Sequence, residues 1–293
     1  MKNFLGIAVL ALAVSTSSCQ KEHEAAQLSE TSSSKNASRT AANTTVTTET
    51  ALKSAIANAK AGDIITVSGT IRLTSTLQCL ASGTSSSKIN FTGGTLDCSG
   101  ISSGWGVKVN GSYWNITNMT IKNAPDCGLV FQIGGYNYVY NVKTNNNGDS
   151  GLQIYNGAHH NNISYCTSND NYDAANGGEN ADGFACKLSA GASNGFSNCT
   201  ANHNSDDGWD LYGQPYTVSI TNCTATNNGF GSNGDGNGFK LGSAGQNVPH
   251  TVTNCVSSYN LASGYDGNGN TGHITITGST GTGNGGSLFY RIY

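Results

Sequence analysis

The chain has 293 residues, a formal net charge of −3 and a sequence pI near 6.0. Charged residues make up 11% of it, against roughly 25% in an ordinary globular domain, whereas Gly (39) and Asn (36) are abundant. A nucleic-acid-binding surface needs clustered Lys and Arg, and only three arginines are present, so the composition excludes that class of partner. So much Gly and Asn with so little charge indicates many tight turns between short strands.

The N-terminal stretch carries the features of an export signal. A basic start precedes an apolar run from Phe4 to Val14, and small residues lead from there to Cys19. The run is too short for a membrane span, which needs about 20 apolar residues. Because the stretch resembles a bacterial lipoprotein signal, residues 1–18 are predicted to be removed and Cys19 to be lipidated. The protein is then expected at the outer membrane or cell surface, and free secretion is the alternative.

The next segments lead into the main domain. Residues 20–46 are rich in Ser, Thr, Ala and Asn without apolar periodicity, which predicts a flexible linker. From Thr47 or Thr48, apolar residues recur at helical spacing until Gly62 ends the run. A strand is predicted over 64–73. A short amphipathic helix before many strands suits a cap over the exposed end of a sheet.

The most informative feature is a repeat in the remainder of the chain. A Gly followed by a large apolar residue recurs at intervals of 23 to 32 residues. Ahead of each later repeat, a Cys or Val is followed five residues on by Asn. Two marks with a fixed offset and a variable interval are typical of a structural repeat with loop insertions. The Gly marks are Gly104, Gly128, Gly151, Gly183, Gly208, Gly238 and Gly264, and the Asn marks are Asn147, Asn171, Asn204, Asn228 and Asn260.

This repeat predicts an all-β fold, a parallel β-helix over residues 47–293 with an N-terminal capping helix and coils about 4.8 Å apart. The Asn column is expected to form an internal hydrogen-bonded ladder. The cysteines ahead of the Asn marks are expected to be buried thiols, because stacked Cβ atoms lie slightly too far apart for a disulfide. Pairing of Cys79 with Cys98 stays open.

An acidic cluster emerges when each repeat is numbered from its Gly as position zero. Alternation directs positions +1 and +3 into the core and positions +2 and +4 to solvent. Asp182 and Asp207 then stack on neighbouring coils, with Asp206 beside them and Asp210 two residues along the outward face. Packed like charges raise one another's pKa, and Ca²⁺, which takes about 6–8 oxygen ligands, relieves that repulsion. The cluster therefore predicts a calcium site, and a solvated acidic turn is the alternative.

Lys240 lies at +2 on the next coil and is the only basic residue that this numbering gives the +2 column. It is interpreted as a base beside a cation that holds an acidic substrate, and a surface ion pair with Asp210 is the alternative. Lys187 and Tyr212, both at +4, are candidate substrate contacts. The two longest intervals place insertions just before Asp182 and Lys240, as the walls of a cleft require.

Three motifs in order resemble the catalytic core of family 9 polysaccharide lyases, which are calcium-dependent pectate lyases on a right-handed parallel β-helix. They are NADGFACKL (180–188), NSDDGWDLY (204–212) and GNGFKLG (236–242). The resemblance implies Lys240 as the Brønsted base and an acidic polysaccharide such as pectate as the partner. The chain is expected to be a monomer that meets a membrane only through its lipid anchor. The calcium ligands that the resemblance implies are Asp182, Asp206, Asp207 and Asp210.

The implied reaction is β-elimination, in which a base removes the C5 proton of a uronate and the O4-linked chain leaves. Ca²⁺ neutralises the carboxylate and so makes that proton more acidic. The base must be neutral, whereas a lysine with an ordinary pKa of about 10.4 is protonated at pH 7. Calcium and burial are expected to lower the pKa of Lys240, which predicts calcium dependence and an alkaline optimum.

Two alternatives to a lyase stay open. A polygalacturonase-type hydrolase on the same fold uses paired carboxylates, although the Gly-His-Gly and Arg-x-Lys elements of such enzymes do not occur in this sequence. A non-catalytic surface lipoprotein that binds glycans needs no active site, since fold does not imply function. The product, an unsaturated uronide or a saturated sugar, discriminates between the two kinds of enzyme.

Overall fold

The computed structural model describes residues 39–293. The predicted signal, Cys19 and the predicted linker up to residue 38 lie outside the described residues. The linker is predicted to extend to residue 46, but Asn43–Val46 is a strand, β1, that pairs in parallel with Ile64–Val67. The main domain therefore begins before residue 47, because this segment finds a partner for its backbone and buries Val46. In the described part of the chain, no helix has the length and apolar character needed to cross a bilayer.

The predicted capping helix is present as α1, Glu49–Ala57. Thr48 is its N-cap, and the Thr48 side chain accepts a hydrogen bond from a backbone N–H three residues on, at 3.3 Å. Leu52 is fully buried against the first coils, so α1 covers the N-terminal end of the strands as expected. The helix ends before Gly62, because Asn58 caps the last turn with both its backbone and side-chain N–H groups.

The strands form a right-handed parallel β-solenoid of about ten turns, which confirms the predicted fold class. Each coil passes through three sheets, here named A, B and C, and every pair of neighbouring strands is parallel. The strand predicted over 64–73 is two strands, separated by Gly69 in a left-handed conformation (φ 76°).

Sheet A has ten strands: β1 (Asn43–Val46), β2 (Ile64–Val67), β5 (Ile89–Thr92), β8 (Trp114–Thr117), β11 (Tyr138–Tyr140), β14 (Asn162–Ser164), β17 (Gly195–Ser197), β20 (Ser219–Thr221), β23 (Thr251–Thr253) and β26 (Thr275–Thr277). Sheet B has eight: β3 (Thr70–Arg72), β6 (Thr95–Asp97), β9 (Thr120–Lys122), β12 (Lys143–Asn145), β15 (Thr167–Asn169), β18 (Thr200–Asn202), β21 (Thr224–Thr226) and β24 (Val256–Ser258). Sheet C has nine: β4 (Leu77–Cys79), β7 (Val107–Val109), β10 (Leu129–Gln132), β13 (Leu152–Tyr155), β16 (Phe184–Cys186), β19 (Trp209–Asp210), β22 (Phe239–Lys240), β25 (Tyr265–Asp266) and β27 (Phe289–Tyr290). A short 3₁₀ turn, Ala174–Asn176, lies in the first insertion.

The Asn column forms the predicted ladder inside the corner between sheets B and C. From Asn147 to Asn260, each side-chain Nδ2 donates to the Oδ1 of the Asn on the next coil at 2.8 to 2.9 Å. The same oxygens accept backbone N–H groups, so each rung satisfies buried polar groups of two coils. A second ladder of Asn137, Asn161 and Asn194 lines the corner between sheets C and A. It was not predicted, because its members keep no fixed offset from the Gly marks.

The core confirms the expected alternation. Side chains at +1 stack as a row of rings, Phe184, Trp209, Phe239 and Tyr265, with centroids 4.8 to 4.9 Å apart. Beside them, the eight cysteines of the described residues are buried free thiols, as predicted for the Cys column. Cys79 and Cys98 are among them, so the pairing left open by the sequence is not formed.

The register of the first repeat differs from the prediction. Val107, not Trp105, pairs with the +1 residue of the next coil, so the repeat does not start at Gly104. Gly104 instead belongs to a turn with φ 95°. Lys108 therefore stands in the +2 column, and the prediction that Lys240 is the only basic residue there is wrong.

The buried ladder is expected to contribute strongly to stability. Asn204 Oδ1 accepts from the Asn171 backbone and side chain at 3.2 and 2.8 Å, and its Nδ2 donates to Asn228 at 2.9 Å. Asn204→Ala leaves these partners unsatisfied and should lower the free energy of unfolding by about 2–4 kcal/mol in urea titrations. Asn115→Ala is the control, because it loses one amide bond to Asn90 on the outer face. Equal losses in the two variants would contradict a special role for the ladder.

The corner between sheets C and A also holds a titratable residue, His250. It is fully buried, and the Val218 backbone N–H donates to its Nδ1 at 3.1 Å, as earlier coils donate to an Asn oxygen. Burial lowers the pKa of His250 to about 4. Because an unfolded His titrates near 6.5, this contribution is fully present above pH about 6.5 and is lost as the pH falls toward 4, about 3 kcal/mol in all.

Urea titrations between pH 7.5 and 4 test this dependence. His250→Asn keeps an acceptor for Val218 but does not titrate, so the stability difference between variant and wild type should shift toward the variant on acidification. A difference that does not change with pH would contradict the assignment.

Candidate active site

The structure brings the four predicted aspartates together on two adjacent coils. Asp182 precedes β16, Asp206 and Asp207 precede β19, and Asp210 ends β19, where it pairs with Lys240 on the next strand. Oxygen atoms of Asp182, Asp206 and Asp207 lie within 4.8 Å of one another. Parallel stacking therefore makes neighbours of residues that lie 24 or more positions apart in the chain.

The cluster is buried, whereas positions +2 and +4 were expected to face solvent. Asp182 and Asp207 have no exposed surface, and Asp206 and Asp210 are 3% exposed. The cover comes from the two insertions, 172–181 and 229–237, which contact each other through backbone and side-chain hydrogen bonds.

Asp206 fastens both insertions to the coil. Its Oδ2 accepts the backbone N–H of Asn180 at 3.1 Å, and its Oδ1 accepts the backbone N–H of Asp235 at 2.6 Å. The inserted loops thus form walls over the aspartates, as their positions in the sequence predicted.

Lys187 belongs to the cluster. Its Nζ donates to Asp182 Oδ2 at 2.8 Å and to Asp210 Oδ2 at 3.1 Å, and the residue is 7% exposed. The sequence suggested a solvent-facing substrate contact, but the ammonium already has two carboxylate partners inside the site. Burial alone would lower the pKa of Lys187, but the surrounding carboxylates, led by Asp182 and Asp210, hold it well above its usual value.

Lys240 is surrounded by three carboxylates. Its Nζ lies 2.6 Å from Asp235 Oδ2, 3.4 Å from Asp207 Oδ2 and 4.0 Å from Asp210 Oδ1. Burial lowers the pKa of Lys240, but Asp207, Asp210 and Asp182 outweigh it and raise that pKa above its ordinary value, opposite to the expected lowering. The sequence analysis did not identify Asp235 as a site residue. The one feature of the sequence that could have indicated it is its position in the second insertion.

The aspartates differ in their protonation equilibria. Burial, followed by repulsion from neighbouring carboxylates, raises the pKa of Asp207 well above its usual value. Burial likewise raises the pKa of Asp182 and of Asp206, with only partial relief from the lysines. For Asp210 the effect of burial is overcome by Lys187 and Lys240, so its pKa is lowered. The two lysines therefore do not fully offset burial and the mutual repulsion of these carboxyl groups.

The donor set fits a hard metal ion. Asp207 Oδ1 accepts from the Asn237 backbone at 2.6 Å and from its side chain at 3.1 Å. Asp207 Oδ2 is buried and accepts no hydrogen bond, although Lys240 Nζ lies 3.4 Å away, and carboxylate oxygens of Asp182 and Asp206 are close by. A buried oxygen that accepts no hydrogen bond and lies among other oxygen donors is the arrangement that a divalent cation satisfies.

A cavity of about 470 Å³ opens above the cluster. Tyr212 is half-exposed at its edge, with the ring centroid 5.8 Å from Lys240 Nζ. The volume falls within the range of roughly 300–1,000 Å³ that is usual for ligand sites. The cavity is lined by Glu179, Asn180, Lys187, Leu188, Asp206, Asp210, Tyr212, Asp235, Lys240 and Asn268.

Curated pectate lyases are similar in sequence to about two thirds of this chain. Pectate lyase L of Paenibacillus polymyxa is 40% identical over 206 residues, which cover 63% of this chain and 45% of that protein. Pectate lyase L of Dickeya dadantii is 35% identical over 195 residues, which cover 64% of this chain and 46% of that protein. The chain thus spans about half the length of these curated relatives.

Solved structures and a family model agree with this likeness. The crystal structure of pectate lyase Pel9A superposes with a TM-score of 0.72 at 31% identity, over 76% of this chain and 61% of that one. An alginate lyase from Paenibacillus sp. shares the fold, with a TM-score of 0.67 at 18% identity, over 85% of this chain and 97% of that one. The family model "Pel9A-like, right handed beta helix region" matches residues 31–292. This chain therefore belongs to the family of Pel9A-like right-handed β-helix proteins.

Proposed function

We propose that this chain is a calcium-dependent pectate lyase that cleaves polygalacturonate or a related polyuronate by β-elimination. The observation that carries the proposal is the placement of Lys240, whose Nζ shares one cavity with the aspartate cluster and lies 3.4 Å from Asp207. Membership of the Pel9A-like family and the relatives named pectate lyase L support the same chemistry.

A calcium ion would be held by Asp182, Asp206, Asp207 and Asp210, and when bound it would neutralise the uronate carboxylate and offset the charge of the aspartates. The chain's own contribution is to position these oxygens before substrate arrives. Burial and the hydrogen bonds that Asp206 and Asp207 accept hold these carboxylates in place.

Lys240 supplies the base. Its neutral Nζ takes the C5 proton, the C5–H electron pair forms the C4–C5 double bond, and the C4–O4 bond breaks with its electron pair going to O4. The departing O4 takes a proton from water and leaves as a hydroxyl group. Asp207 and Asp235 stabilise the ammonium that results. Because the carboxylates raise the pKa of Lys240, its neutral fraction and the rate should increase with pH on the alkaline side.

The arrangement of the aspartates does not favour a hydrolase. A glycosidase needs two carboxyl groups at least about 5 Å apart, on either side of the scissile bond. Here Asp182 and Asp207 have no exposed surface, so they do not flank a bound sugar, and two lysines contact the same cluster.

We also propose that the chain acts as a monomer outside the inner membrane, anchored through Cys19. The apolar run from Phe4 to Val14 and the small residues before Cys19 support export and anchoring. Metabolic labelling with a fatty acid would test the anchor: incorporation that is lost in Cys19→Ala supports it, and label retained in that variant contradicts it.

Calcium should stabilise the folded protein through the aspartate cluster. At a free concentration 100 times the Kd, binding adds about 2.7 kcal/mol to the free energy of unfolding, which a chelator should reverse. Asp207→Asn removes one charge and should abolish most of this response in thermal melts. Asp97→Asn is the control, because Asp97 lies on β6 of sheet B, several coils away, and bonds to Asn123. A calcium response that survives Asp207→Asn would contradict the assigned site.

Lyase activity should appear as ultraviolet absorbance of the unsaturated uronide when residues 20–293 act on polygalacturonate with Ca²⁺ at alkaline pH. Lys240→Ala should lower kcat by about 10²- to 10⁴-fold and leave the affinity for substrate nearly unchanged, because the lost group acts only on the C5 proton. Lys108→Ala, in the same outward column, is the matched control. New reducing ends without absorbance would show a hydrolase instead.

A further inference from the structure

The outward face of sheet A carries no charged side chain at the positions described below. Two columns of side chains point outward, and parallel pairing keeps each column in register from coil to coil. The outward positions of sheet B, by contrast, carry Arg72, Asp97, Lys122 and Lys143, so the absence of charge distinguishes this face of the solenoid. The first column is Asn90, Asn115, Tyr138, Asn162, Gly195, Ser219, Thr251 and Thr275, and the second is Thr92, Thr117, Tyr140, Ser164, Ser197, Thr221, Thr253 and Thr277.

Aromatic rings concentrate on three neighbouring coils of this face. Tyr136 is stacked between Tyr113 and His160, with centroids 5.0 and 4.5 Å away. Tyr140 lies between Tyr138 and Tyr165, with centroids 5.9 and 5.4 Å away. These six residues are called the tyrosine face: Tyr113, Tyr136, Tyr138, Tyr140, His160 and Tyr165.

Tyr165 occupies a position that other coils give to Asn. From β5 onward, the residue that follows each sheet A strand adopts a left-handed backbone, which Asn tolerates and a bulky side chain does not favour. Where Asn is present on adjacent coils, the side chains also bond to each other, as Asn141 does to Asn118 at 2.9 Å. Tyr165 (φ 53°) gives up both advantages and exposes 55% of its surface. The Asn residues of this column are Asn118, Asn141, Asn198, Asn222 and Asn254.

The tyrosines of the other row carry the same strain. Tyr113 and Tyr136 both have φ 60°, and Tyr136 is 42% exposed. Tyr259 on sheet B has the same backbone conformation and is 63% exposed, so strain alone does not set this face apart. What distinguishes the tyrosine face is that its strained rings stack on one another over three neighbouring coils.

Two shallow cavities follow the tyrosine face. They have volumes of about 340 and 410 Å³ and share Tyr136, His160 and Asn162. Their walls combine rings with Asn and Ser side chains, and Lys88 is the only lysine that lines them. Tyrosine with Asn, Ser and Gly is a combination that supplies rigid contact area together with adaptable hydrogen bonds.

We propose that the tyrosine face binds a neutral polysaccharide chain with equatorial hydroxyl groups, at a site separate from the cavity on sheet C. The C–H faces of such a sugar pack against rings, and its hydroxyl groups bond to the amide and hydroxyl side chains between them. The absence of charge in the two outward columns favours a neutral polymer over an acidic one, which would need cationic partners there. This inference does not depend on the proposed lyase activity, because it concerns binding alone.

The test uses affinity electrophoresis and calorimetry with soluble xyloglucan and β-1,4-galactan. Chelator is present so that the aspartate cluster does not contribute. The full chain should be retarded by at least one of these polymers. Tyr165→Asn should weaken binding by about fivefold to tenfold, because one ring is lost, without lowering the melting temperature, because the backbone is relieved.

Tyr259→Asn is the matched control. Tyr259 is also an exposed tyrosine in a left-handed conformation (φ 57°), but it follows a sheet B strand on another face. It should leave the affinity for polysaccharide unchanged. The double variant Tyr138→Ala/Tyr140→Ala should abolish retardation, since both rings lie on strand β11 of the tyrosine face.

Any of five outcomes would overturn the proposal. The first two are that neither neutral polymer retards the wild-type chain, and that retardation occurs only with polygalacturonate. The next two are that Tyr165→Asn binds as the wild type does, and that Tyr259→Asn loses as much affinity as Tyr165→Asn. A wild-type dimer in size-exclusion chromatography that dissociates in the Tyr138→Ala/Tyr140→Ala variant would show that the face is an interface between two copies of the chain.

Discussion

The structure depends on the parallel register between successive coils. Backbone hydrogen bonds and the Asn ladder fix that register, so a residue at one position of a repeat always lies beside the same position of the next repeat. Asp210 and Lys240 meet for this reason although 29 residues separate them. The chain can lengthen a loop by several residues without disturbing this alignment, because the insertion leaves the solenoid at a corner and returns to it.

The register places the aspartates together, and their burial is the largest influence on their pKa values. Four carboxylates under two loops would repel one another strongly, and two lysines reduce the imbalance without removing it. The Lys187 ammonium donates to two carboxylates of the cluster, Asp182 and Asp210. The Lys240 ammonium instead makes its shortest contact with Asp235, an exposed carboxylate of the second insertion. Both lysines line the cavity and are similarly buried, but they stand in different settings: both partners of Lys187 belong to the aspartate cluster, whereas the shortest contact of Lys240 is to a loop carboxylate.

Much of this arrangement was predictable, because a repeat turns sequence offsets into spatial columns. The ring stack through Trp209, the ladder through Asn204 and the meeting of Asp182 with Asp207 all follow from a constant offset. The errors arose where the offset or the simple alternation fails. Trp105 imitates a repeat mark from within a turn, and Asp235 approaches Lys240 from a loop whose path no periodicity describes. Burial of the outward positions was missed for the same reason, since the covering loops are irregular.

Asp206 links the aspartate cluster to both inserted loops. Its two oxygens accept the backbone N–H groups of Asn180 and Asp235, one from each wall of the cavity, and an oxygen of Asp206 also lies within 4.8 Å of oxygens of Asp182 and Asp207. A cation bound to Asp206 would therefore share this carboxylate with both loops. The separation of the cavity walls and the affinity for the cation are then coupled. If a bound cation changes the affinity for a substrate by some factor, the substrate must change the affinity for the cation by that same factor.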